Sequence, residues 1–189
     1  MPARFLFPFH FGCVAALQQR ESAMQNLGSK LFGLLVVGLL GSLLYFTVFS
    51  DGLGKAPQVN VKTAQGQLDL SLPKKPVLVN FWATSCPGCI AEMPHLAEMK
   101  RELGDRFELV AVAMQYDPAS QVQKFIENNP YPFTFVMDTD GKIAQAFGDV
   151  LLTPTSFLIA PNGNIVYRQV GEVQFDLVKQ RIKQMSPQL

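Results

Sequence analysis

The sequence predicts an α/β fold, a mixed central sheet with flanking helices, entered through a β-hairpin and preceded by one transmembrane helix. Three observations carry this. Strand-like and helix-like patterns alternate from residue 77 to residue 147, the signature of parallel strands joined by crossover helices. Asn162-Gly163 between two short strand patterns marks a closing hairpin, which adds antiparallel strands. Residues 31–49 contain no charge over 19 positions, enough to cross a hydrocarbon core of about 30 Å.

Taken in order, residues 1–30 read as an N-terminal tail without structure of its own. Met24 opens a short polar lead with one Lys before the apolar run, so 1–23 is either an extension or precedes the true start. Residues 31–49 read as an uncleaved anchor. The competing reading, a cleaved signal peptide, expects an apolar core of roughly 7–15 residues and a small-residue cleavage site, and no A-x-A-like site follows. Arg4, Arg20 and Lys30 precede the span while Asp51, Lys55 and Lys62 follow it, a slight bias toward an inside N-terminus. Residues 50–58, with Gly52, Gly54 and Pro57, read as a linker, and 59–187 as the folded domain.

Within that domain, 59–64 and 67–72 alternate around Gly66 as a hairpin. The nearly continuous apolar run 77–82 is a central buried strand. Helical periodicity follows Cys86 through Ile90, Met93, Leu96, Ala97 and Leu103, with Pro94 expected to kink or break it. Residues 107–114 and 133–137 read as further central strands, 120–129 and 143–147 as helices, and 138–141 as a turn. The hairpin pairs 155–160 with 164–169, and 175–185 is the closing helix, with Phe175, Val178 and Ile182 inward.

Net charge is +1, and 59–189 carries 12 Lys/Arg against 13 Asp/Glu, a balance of −1. With no basic block, a nucleic-acid surface is not expected. Cys13, Cys86 and Cys89 are the only cysteines, too few for a disulfide scaffold. Cys13 reads as incidental. A pair two residues apart restrains an unfolded chain little, and structural zinc needs a second ligand pair that His10 and His95 do not form. A reactive dithiol is the leading reading.

Its position supports this. Cys86 follows a buried strand and opens a helix, where free N–H groups and the helix dipole stabilise negative charge. The thiolate is the reactive form of cysteine, so Cys86 is the attacking sulfur. Cys89 lies one turn inside, shielded, and resolves the mixed disulfide. Pro87 takes the first helical position, where its missing N–H costs nothing.

The segment Val79-Asn80-Phe81-Trp82-Ala83-Thr84-Ser85-Cys86-Pro87-Gly88-Cys89-Ile90-Ala91-Glu92-Met93-Pro94 resembles the active-site segment of thioredoxins, and more closely the membrane-anchored TlpA/ResA-like branch. The resemblance covers about residues 59–187, including Thr153-Pro154-Thr155. It implies a thioredoxin-like fold acting as a thiol–disulfide oxidoreductase outside the cytoplasmic membrane of a bacterium, on the periplasmic or external side. It implies a cis Pro154 against the Cys pair, with the Thr153 backbone free to bind substrate as an added strand. The alternative is an ordinary strand-edge proline. The long stretch between Cys89 and Pro154 implies the branch's strand–helix insertion, around 115–145. Trp82 reads as core packing, active-site floor, or both, and joins Thr153 and Pro154 as a substrate-binding candidate.

Three departures from thioredoxin carry information. Asn80 replaces the buried Asp that shuttles a proton to the resolving thiol, and Glu92 matches the acidic position of the TlpA/ResA-like motif as its substitute. The alternative for Glu92 is an exposed helix acid. Ser85 replaces the usual tryptophan before the first Cys, and Pro-Gly replaces Gly-Pro between the cysteines. The resemblance implies disulfide-bearing exported proteins as substrates, such as apocytochrome c or metal-site cysteines, and a transmembrane thiol electron donor. No cofactor is expected. A copper(I) assembly factor using the same thiolates is the alternative, weakened because no His follows His95. A thiol peroxidase ranks last, since its Pro-x-x-x-Thr-x-x-Cys arrangement is missing.

Overall fold

The molecule is described by a computed structural model covering residues 32–42, 53–63 and 66–186. Residues 32–42 form helix α1, with every side chain exposed. The expected span 31–49 extends beyond these residues, as do the tail 1–30 and any role for Cys13. No helix among the described residues is long and apolar enough to cross a membrane.

The domain is organised by β3 (Val77–Trp82), buried on both faces. Its side chains alternate across the sheet. Leu78 and Trp82 enter one core; Val77, Val79 and Phe81 enter the other. This double burial is why the six residues read as a continuous apolar run. Each fully buried side chain of this size contributes about 1.5–3 kcal/mol.

Around β3 the sheet has the order β5-β4-β3-β6-β7. β4 (Glu108–Ala113) pairs parallel with β3, and β5 (Thr134–Met137) parallel with β4. β6 (Thr155–Ile159) pairs antiparallel with β3, and β7 (Ile165–Val170) antiparallel with β6. The sheet is therefore mixed. Helices α2 (Pro87–Leu103), α3 (Ala119–Asn128) and α5 (Phe175–Met185) contribute to the core holding Trp82. The opposite core takes α4 (Lys142–Ala146) and the entry hairpin, β1 (Asn60–Thr63) with β2 (Gly66–Asp69). The stretch 115–145 thus holds α3, β5 and most of α4.

Three expectations change. β5 is an edge strand, half-exposed along its length, and among the described strands pairs only with β4; Phe135, and Phe133 just before it, pack into an aromatic group with Tyr131 and Trp82. That packing mimics the apolar density of a central strand. α2 runs unbroken through Pro94. Pro94 lies on the exposed face, where water can take up the carbonyl its missing N–H leaves free. The described part of the expected linker, 53–58, lies against the β6–β7 turn. Ala56 N–H donates to Gly163 O at 2.8 Å and Ile165 N–H to Gly54 O at 2.9 Å. Gly163 is required there: its φ is +79°, and a Cβ would meet Ser71 O at 2.0 Å.

Candidate active site

The strand-to-helix junction after β3 delivers the cysteine pair. Cys86 N–H closes a turn onto Ala83 O at 3.1 Å, and extended backbone at Cys86 makes it the N-cap of α2. Cys89 N–H donates to Cys86 Sγ at 3.2 Å. A free amide of the first helical turn therefore points at the Cys86 sulfur. Cys86 and Cys89 are joined as a disulfide. Cys86 is half-buried and Cys89 only 2% exposed, the asymmetry expected of an attacking and a resolving sulfur.

Glu92 lies one turn beyond Cys89 on the same buried face of α2 and is not an exposed helix acid; its exposure is 2%. Its Oε1 accepts from Val173 N–H at 3.0 Å, while Oε2 is buried without a partner among the described residues. Burial pushes its pKa up from 4.5 to about 7, opposed by the Val173 bond and reinforced by the Glu172 charge. A carboxyl poised near neutrality can take or give a proton at working pH.

Asn80 is buried and donates from Nδ2 to Ser156 Oγ at 3.0 Å, directly across the β3–β6 pairing. It is spent on a neutral cross-strand bond. Trp82 is fully buried, with ring centroids 5.0 Å from Phe125 and 5.6 Å from Phe135. It lies in the same core cluster as Cys89, which accords with the core-packing side of its reading.

Thr153-Pro154 is a cis peptide, and Pro154 is buried. Pro154 O accepts from Gly171 N–H at 2.8 Å, whereas the backbone of Thr153 has no hydrogen-bond partner among the described residues. Leu151 and Leu152, just before it, are 79% and 64% exposed. Two further residues touch this region without a sequence signature. Asp117 holds Thr84, and Tyr116 reaches Thr153. An acid before a proline after an apolar strand was the only available hint. His95 is exposed, its ring 5.8 Å from Phe175. No group of three or more His, Cys, Asp or Glu is arranged to hold a metal among the described residues.

A thioredoxin-like sheet carrying an N-capping Cys-x-x-Cys disulfide defines a thiol–disulfide oxidoreductase. The Redoxin family model matches residues 53–181, and the chain belongs to that family, in its TlpA/ResA-like branch. It is 31% identical to the thiol-disulfide oxidoreductase ResA of Bacillus cereus over 163 residues, covering 82% of this chain and 92% of that one. It is 34% identical to a thioredoxin-like protein from Neisseria meningitidis whose structure was determined in solution, with a TM-score of 0.61, covering 70% and 90% of the two chains. The crystal structure of StoA from Bacillus subtilis aligns with a TM-score of 0.57 at 25% identity, covering 66% and 97%.

Proposed function

We propose that this oxidoreductase is a membrane-tethered reductant of disulfides in exported proteins, such as apocytochrome c or proteins with metal-site cysteines. The observation that carries the reading is the buried, partly unpartnered Glu92 carboxyl one turn from the shielded Cys89. It supplies the proton acceptor that a resolving thiol needs and that Asn80 cannot be.

The exchange proceeds in two steps. In the reduced enzyme the Cys86 thiolate attacks one sulfur of a substrate disulfide. The S–S bond breaks, and the departing substrate sulfur takes the electron pair and then a proton. Cys89 passes its proton to Glu92 and attacks Cys86 Sγ, forming the Cys86–Cys89 disulfide and releasing the second substrate thiolate. Two electrons have moved from the dithiol to the substrate, and a transmembrane thiol donor restores the dithiol. The substrate segment lies along Thr153 as an added strand, held by the unpaired Thr153 backbone beside Pro154. The exposed Leu151 and Leu152 meet apolar side chains flanking the substrate cysteine.

The tether is the apolar stretch 31–49. The helical, fully exposed and apolar 32–42 supports it, as does the slight charge bias toward an inside N-terminus. A membrane-impermeant maleimide applied to intact spheroplasts after reduction is expected to label Cys86. Labelling only after the membrane is opened would place the domain on the cytoplasmic side and end this reading.

A further inference from the structure

Tyr116 and Asp117 follow β4 and take no part in the exchange steps above, yet they bond to both walls of the site. Asp117 is 7% exposed and accepts twice from a single residue. Thr84 N–H donates to Oδ2 at 2.5 Å and the Thr84 hydroxyl to Oδ1 at 2.6 Å. Thr84 lies inside the turn closed by Cys86 N–H on Ala83 O. The turn that presents the attacking sulfur is therefore clamped by a carboxylate from another element. The neighbouring Tyr116 hydroxyl lies 3.3 Å from Thr153 Oγ1, on the residue that precedes Pro154.

The loop is itself anchored. Met114 N–H donates to Trp82 O at 3.0 Å and Asp117 N–H to Met114 O at 3.0 Å. Asp117 stands one residue before Pro118, the N-cap of α3, and α3 has no side-chain cap bond. Both oxygens of the Asp117 carboxylate are engaged by Thr84, in the cysteine turn.

The geometry points to Tyr116-Asp117 as a positioning bracket: Asp117 sets the turn that aims Cys86 Sγ, and Tyr116 sets Thr153 on the opposite wall. Asp117 thereby governs the attack itself, and Tyr116 the binding of a protein disulfide along Thr153. Cys86 receives one helix amide at 3.2 Å, so a small displacement of the turn weakens the contact that favours its thiolate. Misplacement by about 1 Å can cost on the order of 100-fold in rate. The Tyr116 half rests on the proposed substrate strand at Thr153-Pro154; the Asp117 half does not.

The test uses the full-length chain in detergent with two substrates, a small aromatic disulfide and insulin. Asp117→Asn and Thr84→Val are each expected to slow both reactions about tenfold or more, while Thr84→Ser, which keeps the hydroxyl, stays within twofold of wild type. The Thr84 pair decides the question if Asp117→Asn does not fold. Tyr116→Phe is expected to raise KM for insulin several-fold, leaving kcat and the small disulfide unchanged. Lower Tm with unchanged rates in Asp117→Asn and Thr84→Val would make the clamp merely structural and overturn the Asp117 half, as would a Thr84→Ser protein as slow as Thr84→Val. Pro154→Ala separates the remaining cases. If it raises the insulin KM and Tyr116→Phe does not, the Tyr116 half fails. If it leaves the insulin KM unchanged, the substrate-strand reading itself has failed.

Discussion

Cys86→Ser is expected to abolish insulin reduction, whereas Cys89→Ser should still attack and then accumulate enzyme–substrate mixed disulfides. The asymmetry follows from burial and hydrogen bonding. Only Cys86 is both reachable and addressed by the free amide of Cys89, and the thiolate rather than the thiol is the nucleophile. Cys89 is shielded on the buried face of α2, so it meets a sulfur only when Cys86 presents one. Non-reducing gels of the two variants, incubated with a disulfide-bearing protein, check this. Equal trapping by both would contradict the assignment of roles.

Glu92→Gln is expected to have the next largest effect, on resolution rather than attack. Removing a general base typically costs about 10²–10⁴-fold, so mixed-disulfide resolution at pH 7 should slow by at least about 10²-fold. In the wild-type enzyme that step should accelerate as pH rises through about 7, where the Glu92 carboxylate forms. The variant should lack that inflection, and stopped-flow resolution rates across pH 5–9 show it. Stability should respond in a defined direction. The native carboxyl keeps its proton to about pH 7, while its ordinary value is 4.5. Between those values the native state binds more protons than the unfolded one, so raising the pH favours unfolding. The stabilisation is complete below about 4.5 and lost through about 7. Melting temperatures of oxidised wild type should therefore fall over this window relative to Glu92→Gln.

Much of this site was legible because its chemistry is tied to local pattern. The run 77–82 has no alternation because both faces are buried, and its strand coincides with β3. Cysteines flanking Pro-Gly at a strand-to-helix junction place one sulfur at the cap and one inside. Phe175, Val178 and Ile182 at helical spacing gave α5 its bounds, although Phe175 is only half-buried beside His95. The rest depended on contacts between distant segments. Nothing local tells whether Thr134–Met137 has one neighbour or two, since its aromatic residues are dense in either case. Pro94 is tolerated because its face of α2 meets solvent, a property of the packed helix. The docking of 53–58 on the β6–β7 turn uses backbone bonds that composition does not encode. Asp117 and Thr84 are 33 positions apart, and only the parallel β3–β4 pairing brings them together.

The direction of electron flow is set by the reduction potential of the Cys86–Cys89 couple, and measuring that potential tests it most directly. The full-length protein in detergent, equilibrated across defined thiol–disulfide buffers, gives the value from the fraction alkylated. A reductant should fall below about −200 mV, toward the roughly −270 mV of thioredoxin; a potential above that, toward the roughly −120 mV of a strong disulfide donor, would contradict it.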